Sequence, residues 1–453
     1  MQNITLGWLA QAARGRLTGG NPRQAVTGLC LDSRRVVAGD CFVALPGKHA
    51  DGHAFIARAH AAGAAGALCV RPVPGVPCIR VADPRIALGR IAAAYRQRFK
   101  KLKVVGITGS SGKTTTKEML AEVLKTQYAV LANIGNLNND LGVPLTLARL
   151  EAEHTAAVVE MGMNHAGEIR TLARMAVPQV GVITNIGDAH AGHFRDRRAL
   201  ARAKAELLAA LPARGWAIIN LDDPNLATRA LRRRITFGMS EKADVRIHTA
   251  SVHLKGTHVI LEHAGETRAL WLRALGAHQA WNAAAAVAAG LALGVSFATA
   301  CRALAQHRPE AAMRSQLLTI GPHRVLHDAY NSNPQSAAAA VRLLVELPTR
   351  GRRIFVAGSM LELGTLAPEA HRQLGREAAL CGVDALLAVG REARAMLAGA
   401  RACTRRAFVP TAAQAWPVLK PWLSREGDLI LIKGSRGVGL EKVVEDLKKQ
   451  FKV

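Results

Sequence analysis

The segment GITGSSGKTTTKEML, residues 106–120, decides how the middle of this sequence folds. An apolar run, VVGIT, precedes its glycines, and TTTKEMLAEVLKTQ continues from it as a helical pattern. A strand, a glycine-rich turn and a helix form the context of a phosphate-binding loop, whose backbone N–H groups hold phosphate oxygens. The spacing is shorter than in the common P-loop, because Ile107 occupies the position of its first glycine. The sequence therefore predicts a nucleotide-binding loop with GxxGKT spacing.

The two residues after the last glycine of this loop carry the chemistry. Lys113 can reach the β and γ phosphates of a nucleotide, and Thr114 offers a hydroxyl to Mg²⁺. The alternative is an ordinary glycine-rich connection between a strand and a helix. The position of GKT directly after a buried strand favours the phosphate site.

Working outward from the loop, further strand-like runs alternate with helical patterns. AAVVEM, VGVITNI and WAIINL follow the loop, as in a doubly wound parallel sheet. Near residue 311 the pattern restarts with RVLHDAY, RRIFVAG, DALLAVG and DLILIKG. We predict an α/β protein of three domains: a small mixed α/β domain at 1–100, a central P-loop-type doubly wound ATPase domain at 101–311, and a Rossmann-like α/β domain at 312–453.

The composition is that of a globular protein with a strongly positive charge. The chain has 453 residues, 49% hydrophobic and 21% charged, and a net charge of +27 from 60 Lys and Arg against 33 Asp and Glu. Such a charge attracts anionic partners. The basic residues are scattered, however, and the longest run is Arg232–Arg234. We therefore expect solvated basic faces and no nucleic-acid partner.

Cysteine usage and terminal composition predict a cytoplasmic chain. The seven cysteines are odd in number and form no CxxC pair, which is typical of reduced thiols. The N-terminus lacks a basic segment followed by an apolar core, so we expect no signal peptide. The span AAAAVAAGLALGVSFATA, residues 283–300, is rich in Ala and Gly and predicts a buried helix with no membrane insertion.

Four further features of the central region are candidates for the same site. Glu160 ends a predicted strand, and it either faces a ligand crevice or is a solvated residue at the strand end. His190 follows the next strand and is either a ligand or structural. Lys204 stands in a helical pattern, which by itself favours a surface side chain. The segment GNLNNDLGVP, residues 135–144, holds three Asn that serve either turns or ligands.

Together these motifs resemble the Mur ligases, which build the peptide of the bacterial cell-wall precursor. The resemblance covers essentially the whole chain, and the short spacing of the phosphate loop is the family's own. It implies that Lys113 binds the ATP phosphates and that Thr114 and Glu160 hold one Mg²⁺. His190 matches the ligand of a second Mg²⁺. Lys204 matches a lysine that family members carry as a carbamate, which reverses the surface interpretation.

The nucleotide site implied by the resemblance extends beyond the loop. HQAWNAAAA, residues 278–286, resembles the family's HNxxNxxAA segment, whose second Asn faces adenine, with Trp281 in place of a commoner small residue or Tyr. The residues expected at the nucleotide are Gly109, Ser110, Ser111, Gly112, Lys113, Thr114, Thr115, Asn282, Arg314 and Asp328. We further expect Arg314, Asp328 and Lys433 to close over the ligands.

The two ends of the chain resemble the parts of the family that bind the other substrates. DSRRVVAGDCFVALPGKHADGHAFI, residues 32–56, resembles a uridine-diphosphate domain, while HDAYNSNPQS, GSMLELG and the closing KGSR segment resemble the dipeptide-adding branch. The substrates implied are UDP-N-acetylmuramoyl-tripeptide and D-alanyl-D-alanine, bound by a monomer. The expected substrate-binding residues are Asp32, Ser33, Arg34, Asn136, Asn138, Asn139, Tyr330, Asn331, Asn333, Lys433 and Ser435.

Three residues depart from the family's pattern at the amino-acid site. His327 replaces the first Asp of a pair, Ser359 replaces the Asp of GDM, and Met313 stands where Gly is common. The implied reaction is ATP-driven amide formation through an acyl phosphate. The alternatives are a sister ligase that adds a single amino acid and, from another class, a nucleic-acid-stimulated P-loop ATPase.

Overall fold

Three β-sheets of five, nine and six strands organise the chain. The computed structural model describes residues 1–47, 50–187, 192, 194–226, 233–309, 313–424 and 427–452. The chain divides into two units: the first holds residues 1–108, 124–182 and 205–217, and the second holds 109–123, 183–204 and 218–453. The predicted α/β class with three sheet-bearing parts is confirmed, and the boundaries expected at residues 100 and 311 stay predictions.

The N-terminal part combines helices with strands, as predicted, and its sheet has both parallel and antiparallel pairs. Its elements are α1 (Leu6–Ala13), β1 (Arg16–Thr18), β2 (Gly28–Cys30), β3 (Asp40–Val43), α2 (Ile56–Ala61), β4 (Gly66–Cys69), β5 (Cys78–Arg80) and α3 (Pro84–Gln97). The strand order is β1-β5-β4-β3-β2, with β1 antiparallel to β5 and the remaining neighbours parallel. Asp83 caps α3, because its carboxylate accepts the backbone N–H groups of Arg85 and Ile86.

The nine-stranded sheet contains the strand that leads into the phosphate loop. Its elements are β6 (Lys103–Thr108), α4 (Lys113–Lys125), β7 (Val130–Ala132), α5 (Gly142–Leu147), β8 (Ala156–Glu160), α6 (Glu168–Ala176), β9 (Val180–Ile183), α7 (Arg197–Lys204), α8 (Glu206–Ala209), β10 (Trp216–Asn220), β11 (Arg234–Gly238), β12 (Val245–His253), β13 (Gly256–His263), β14 (Glu266–Leu272), α9 (Gln279–Ala292) and α10 (Phe297–Gln306). The strand order is β14-β13-β12-β11-β10-β9-β6-β8-β7. All the strands predicted in this part are present.

The sequence did not predict the three strands β12–β14 at one edge of this sheet. Strands β12, β13 and β14 pair antiparallel, which extends the parallel sheet by a meander. Their sequences, VRIHTASVH and GTHVILEH, mix polar and apolar residues, and one face of β12 is largely exposed. Because half-buried strands carry short and irregular apolar patterns, the sequence signal is weak here.

The six-stranded sheet has the Rossmann-like character expected of the C-terminal part. Its elements are β15 (Gln316–Ile320), β16 (His323–Asp328), α11 (Pro334–Glu346), β17 (Arg353–Gly358), α12 (Ala367–Leu380), β18 (Ala385–Val389), α13 (Met396–Gly399), β19 (Arg405–Val409), α14 (Ala415–Leu419), β20 (Leu429–Lys433) and α15 (Glu441–Phe451). The order is β15-β16-β20-β17-β18-β19, with only β15 antiparallel to its neighbour. The four predicted strands are β16, β17, β18 and β20.

Burial follows the predicted layers. Strands β8, β18 and β20 are buried along their whole length, as strands covered on both faces must be. Helix α9 buries the alanine-rich run Ala283–Ala289 completely, which confirms the first part of the predicted buried helix. The rest of the predicted span is not one helix, because α9 ends at Ala292 and α10 begins at Phe297. Within the described ranges, no helix combines the length and apolarity that crossing a bilayer requires.

Candidate active site

The phosphate loop contains two glycines whose backbone conformations and close contacts disfavour any side chain. Gly109 has φ +152° and Gly112 has φ +80°, a region that L side chains rarely adopt. A Cβ atom at Gly109 would lie 1.9 Å from Thr184 Oγ1, and one at Gly112 would lie 2.3 Å from Asn282 Oδ1. The loop is therefore closed around neighbouring polar side chains, and α4 begins directly after it, at Lys113.

Two lysines converge on one carbonyl group of this loop. Lys113 Nζ donates a hydrogen bond of 2.8 Å to the carbonyl oxygen of Gly109, and Lys204 Nζ donates one of 3.2 Å to the same oxygen. The ammonium of Lys113 therefore lies at the loop, where it suits a negatively charged group.

Lys204 is buried, so the surface position that its sequence pattern favours is wrong. It is 1% exposed, and no described carboxylate lies within ion-pair distance of Nζ. Its pKa lies well below the ordinary value, because burial disfavours the cation and because Lys113 adds a second positive charge nearby. The helical pattern could not reveal this, since burial at one turn of α7 depends on a distant loop.

Thr184 and Asn185, which follow β9, hydrogen-bond to the phosphate loop. The sequence analysis did not predict this role for them. Thr184 Oγ1 donates to the carbonyl oxygen of Ser111 at 2.6 Å. Asn185 Oδ1 accepts the Ser111 N–H at 2.9 Å, and its amide donates to the Ser111 carbonyl at 3.2 Å. The signal was available, because two polar residues directly after a buried strand belong to the ligand edge of a parallel sheet. Ser110 Oγ donates to the Gly187 carbonyl at 3.0 Å and completes the support.

Residues from the C-terminal sheet contact this loop within the same unit. A guanidinium N–H of Arg314 donates to Thr114 Oγ1 at 3.0 Å, and the guanidinium lies 4.0 Å from the ring centre of Tyr330. Asn333 Nδ2 donates to Ser111 Oγ at 3.1 Å. The structure therefore brings Arg314 and Asn333 into contact with the loop and places Tyr330 against Arg314, and the binding roles expected of these residues stay predictions.

A buried ion pair lies behind these contacts. Lys433 Nζ bonds to Asp328 Oδ2 at 2.8 Å and to the Asn331 carbonyl at 3.0 Å. Asp328 Oδ1 accepts the Ser315 N–H at 3.1 Å. Both oxygens of Asp328 therefore bond to protein groups, and the pair fixes the segment that carries Arg314. Ser435 lies on the same edge, where its Oγ accepts the Leu361 N–H at 2.9 Å.

The three departures from the family's pattern each have a local structural setting. Met313 has φ +60°, a conformation that glycine adopts at lower cost, which explains the preference for Gly there. Ser359 Oγ accepts the Ala393 N–H at 3.1 Å, so a hydroxyl serves as the acceptor at this position. His327 is buried, and desolvation lowers the pKa of its imidazole.

The predicted adenine segment also packs on the loop. Asn282 Oδ1 accepts from Thr116 Oγ1 at 3.3 Å, and its amide donates to Gln279 Oε1 at 2.9 Å. Trp281 Nε1 donates to Asp222 Oδ2 at 2.7 Å, which fixes the indole. Thr115 is half-buried in the first turn of α4.

The first unit holds the remaining predicted residues of the central region. Glu160 is buried at the end of β8, and its Oε1 accepts from Asn138 Nδ2 at 2.7 Å. The Glu160 N–H donates to Asn133 Oδ1 at 2.6 Å, a contact that the sequence did not predict. Asn139 Oδ1 accepts the Gly142 N–H and so supports the start of α5, while the Asn136 carbonyl accepts the Asn138 N–H at 2.6 Å.

The predicted uridine-diphosphate segment forms a compact turn after β2. Arg34 hydrogen-bonds to Asp32, and that side-chain bond lowers the carboxyl pKa to about 2. Arg34 is exposed and Ser33 is buried between the two. His190 lies outside the described residues, so its predicted metal role stays a prediction.

Comparisons with known proteins agree with this geometry. Three family profiles match: the Mur ligase family catalytic domain at 25–96, the Mur ligase middle domain at 107–290, and the Mur ligase glutamate ligase domain at 313–436. The chain is 34% identical over 446 residues to UDP-N-acetylmuramoyl-tripeptide–D-alanyl-D-alanine ligase of Bacillus subtilis, covering 97% of both chains.

Two solved structures share the whole architecture. A crystal structure of MurF from Acinetobacter baumannii superimposes with a TM-score of 0.91 at 36% identity, covering 98% of both chains. MurF from Thermotoga maritima in complex with ADP gives 0.83 at 28% identity, covering 94% of this chain and 98% of that one. With this fold, this loop and these matches over nearly its full length, the chain belongs to the Mur ligase family.

Proposed function

We propose that this chain is an ATP-dependent ligase that joins D-alanyl-D-alanine to UDP-N-acetylmuramoyl-tripeptide, giving the pentapeptide precursor of the cell wall. The observation that carries the proposal is the convergence of Lys113 and Lys204 on the Gly109 carbonyl, in a loop that Arg314 and Asn333 also contact. A nucleotide triphosphate supplies the negative charge that the cations Lys113 and Arg314 require. The curated relative and the ADP-bound MurF support the same assignment.

The reaction that this site supports has two steps. An oxygen of the tripeptide's terminal carboxylate attacks the γ-phosphorus of ATP, and ADP leaves, giving an acyl phosphate. The neutral amine of the dipeptide then attacks the acyl carbon, inorganic phosphate leaves, and one proton passes from the amine to solvent. Three negative groups meet in this sequence, so neutralising charge and positioning the reactants are the main demands on the protein.

The residues of the loop meet those demands directly. Backbone N–H groups at the start of α4 bind phosphate oxygens, and Lys113 stabilises the charge that develops on the γ-phosphoryl group. Arg314 donates a hydrogen bond to Thr114 of the loop, and we expect its guanidinium to neutralise the same phosphate. Asn333, at the start of α11, donates a hydrogen bond to Ser111 and so holds this helix next to the phosphate loop.

The donor groups expected around Mg²⁺ fit a hard cation. Glu160 offers a buried carboxylate that the amide of Asn138 orients, Thr114 offers a hydroxyl, and His190 offers an imidazole. Two Mg²⁺ ions, when bound, would offset phosphate charge and orient the γ-phosphoryl group. An ammonium group cannot bind a metal, so Lys204 fits this set only as its carbamate. Its burial without a carboxylate partner favours the neutral amine that reacts with carbon dioxide.

The carbamate part of the proposal has its own test. Protein equilibrated with carbon-13 bicarbonate should show a carbamate carbon resonance that is absent from Lys204→Gln. A spectrum that is identical for the two proteins would remove the carbamate from the proposal and leave the ligase assignment standing. The proposal also includes a cytoplasmic monomer, which cell fractionation and light scattering after size exclusion check.

Phosphate release tests the whole proposal. ATP and Mg²⁺ are supplied with UDP-N-acetylmuramoyl-tripeptide and D-alanyl-D-alanine, singly and together, and the product is weighed by mass spectrometry. We expect release only when both are present, with a product heavier by the dipeptide less one water. Release that requires a single amino acid would indicate a sister ligase, and release stimulated by nucleic acid would indicate an ATPase of another class.

A further inference from the structure

Glu206 is a buried carboxylate that takes no part in the proposed reaction. It is 9% exposed and begins α8, and only Ala205 separates it from Lys204, the last residue of α7. Removing an ionised carboxylate from water is costly unless hydrogen bonds replace the lost hydration. The partners of Glu206 therefore indicate what the residue does.

These partners lie at the N-terminus of α6. The Gly167 N–H donates to both carboxylate oxygens, at 2.9 and 3.1 Å, and the Arg170 N–H donates to Oε2 at 3.0 Å. The Arg170 guanidinium lies 3.4 Å from Oε1 and offsets the charge. Gly167 is the N-cap residue of α6 and has no side chain to cap the helix, so Glu206 caps it from a distant part of the sequence.

The cap fixes α8 in a way that its apolar contacts do not. Leu207 and Leu208 pack closely on the sheet, since an added Cβ would lie 2.8 Å from Leu207 at Gly106 and 3.2 Å from Leu208 at Gly181. Burial of leucines holds the helix against β6 and β9 but has no preferred direction. Hydrogen bonds are directional. Glu206 therefore determines the rotation of α8 about its own axis.

The orientation of Lys204 depends on the same junction between helices. Lys204 is 1% exposed, and its Nζ donates to the Gly109 carbonyl at 3.2 Å. A buried amine regains hydration as soon as its backbone allows it to reach water, so its place must be maintained by the surrounding chain. With α7 ending at Lys204 and α8 beginning at Glu206, the backbone next to the lysine is held by the cap on α6.

We propose that Glu206 is a positioning residue: by capping α6 it holds the junction of α7 and α8 and so keeps the Lys204 amine buried at the phosphate loop. The inference deepens the carbamate part of the proposed function and rests on that part for its effect on activity. In carbamate formation the neutral amine nitrogen attacks carbon dioxide, a nitrogen–carbon bond forms, and one proton passes to solvent. Glu206 does not react and only fixes the place of the amine.

Chemical labelling measures the position of Lys204 without reference to catalysis. Wild type and Glu206→Ala are treated with acetic anhydride in bicarbonate-free buffer, and acetylation of each lysine is followed by peptide mass spectrometry. We expect Lys204 to be acetylated about tenfold faster or more in the variant, because its amine reaches water. Glu206→Gln keeps an oxygen acceptor for the N–H groups of α6 and should label at nearly the wild-type rate.

The matched control is Asp83→Ala. Asp83 caps α3 with a carboxylate that also accepts two backbone N–H groups, so its removal should cost similar helix stability. Because α3 is not joined to α7 or α8, acetylation of Lys204 should stay within about twofold of wild type. An equal increase in both variants would mean that any lost cap exposes the lysine and would overturn the inference.

Bicarbonate distinguishes positioning from a general loss of stability. We expect kcat of Glu206→Ala to fall about tenfold or more at ambient carbon dioxide and to recover as bicarbonate is added, because mass action restores the carbamate. Wild type and Asp83→Ala should respond little. A merely destabilised enzyme would lose activity that bicarbonate does not restore.

The outcomes separate this inference from the proposed function. Unchanged acetylation of Lys204 in Glu206→Ala would overturn the positioning role, whatever the carbamate experiment shows. A loss of activity that bicarbonate does not restore, with a wild type that carries the carbamate, would overturn it as well. A wild type without the carbamate resonance would remove that part of the proposed function, and the acetylation rates alone would then decide the role of Glu206.

Discussion

The phosphate loop and a cavity beside α12 lie in the same unit but are built in different ways. The loop is a contiguous segment, residues 109–114, whose glycine conformations and Lys113 hydrogen bond all fall within six residues. The cavity is assembled from stretches near residues 194–200, 334 and 363–377, which meet only in the folded chain. A contiguous segment therefore forms the phosphate loop, whereas residues that are distant in the sequence form the cavity.

This difference has a chemical reason. Every reaction that transfers a γ-phosphoryl group requires the same backbone N–H groups and cation, so a short segment suffices. Recognition of a particular acceptor requires shape, and several elements must converge to produce it. We expect substitutions in the loop to damage ATP chemistry for every acceptor, whereas substitutions in parts built by long-range packing should act first on stability.

Lys113→Ala gives the largest expected effect. Removal of the ammonium leaves the developing phosphoryl charge without its main protein cation, so kcat should fall about a hundredfold or more. The measurement is phosphate release with both substrates saturating. Lys125→Ala, in the last turn of the same helix, is the control and should retain wild-type activity. A fall of less than about tenfold in Lys113→Ala would mean that the loop does not carry the phosphate chemistry.

Gly112→Ala tests whether the loop is fixed by local geometry. An alanine here would have to adopt a φ of +80°, and its Cβ would lie 2.3 Å from Asn282 Oδ1, so the loop would have to shift. We expect ATP binding, measured by calorimetry, to weaken about tenfold or more, with the dipeptide KM little changed. Gly167→Ala also has a positive φ, but no heavy atom lies near its added Cβ, and ATP affinity should survive there. Equal losses at both positions would point to general strain.

His371→Ala tests the long-range side of the comparison. The buried imidazole accepts the Met360 N–H at 2.9 Å through Nε2 and bonds to the Ala367 carbonyl through Nδ1, which supports the segment carrying Leu363 and Leu366. Loss of these bonds should lower the free energy of unfolding by about 2 kcal/mol. Chemical denaturation measures this loss. His371→Gln keeps an acceptor for Met360 and should recover part of the stability, and equal losses in the two variants would contradict the hydrogen-bond explanation.

The same imidazole predicts the smallest effect, a decline of stability in mild acid. Burial lowers the pKa of His371 below its ordinary value of 6.5, so the unfolded chain binds a proton at a higher pH than the folded chain does. The free energy of unfolding should therefore fall as pH drops below 6.5. His327, also buried with a lowered pKa, adds to the same slope. A double variant, His371→Gln with His327→Gln, should show a shallower decline, and an unchanged slope would exclude these two residues as its cause.

The parts that sequence reasoning predicted are those fixed by local pattern. The glycine-rich loop, the buried parallel strands and the alanine-rich helix α9 were predictable because spacing and apolar runs identify them. The meander β12–β14 was not, because polar residues interrupt its strands. Lys204 shows the limit most clearly, since its helical context favours the surface and only its contact with Gly109 explains its burial.

The hydrogen bonds that hold the phosphate loop in place could not be predicted from the sequence either. The hydrogen bonds that Ser111 forms with Thr184 and Asn185 join residues more than seventy positions apart, and no short motif encodes them. The positive φ of Met313 and the hydrogen bond from Arg314 to Thr114 are likewise features of the folded chain that no sequence motif encodes. Side chains that act by supporting others leave little trace in a single sequence.

The most direct test of the proposed reaction follows one oxygen atom. UDP-N-acetylmuramoyl-tripeptide labelled with oxygen-18 in its terminal carboxylate is incubated with ATP, Mg²⁺ and D-alanyl-D-alanine, and the released phosphate is analysed by mass spectrometry. An acyl phosphate requires one carboxylate oxygen to leave with the phosphate, so each phosphate should carry one label and each new amide should keep the other. Unlabelled phosphate would mean that water or another group attacks ATP, and the site would then not be that of an acyl-phosphate ligase.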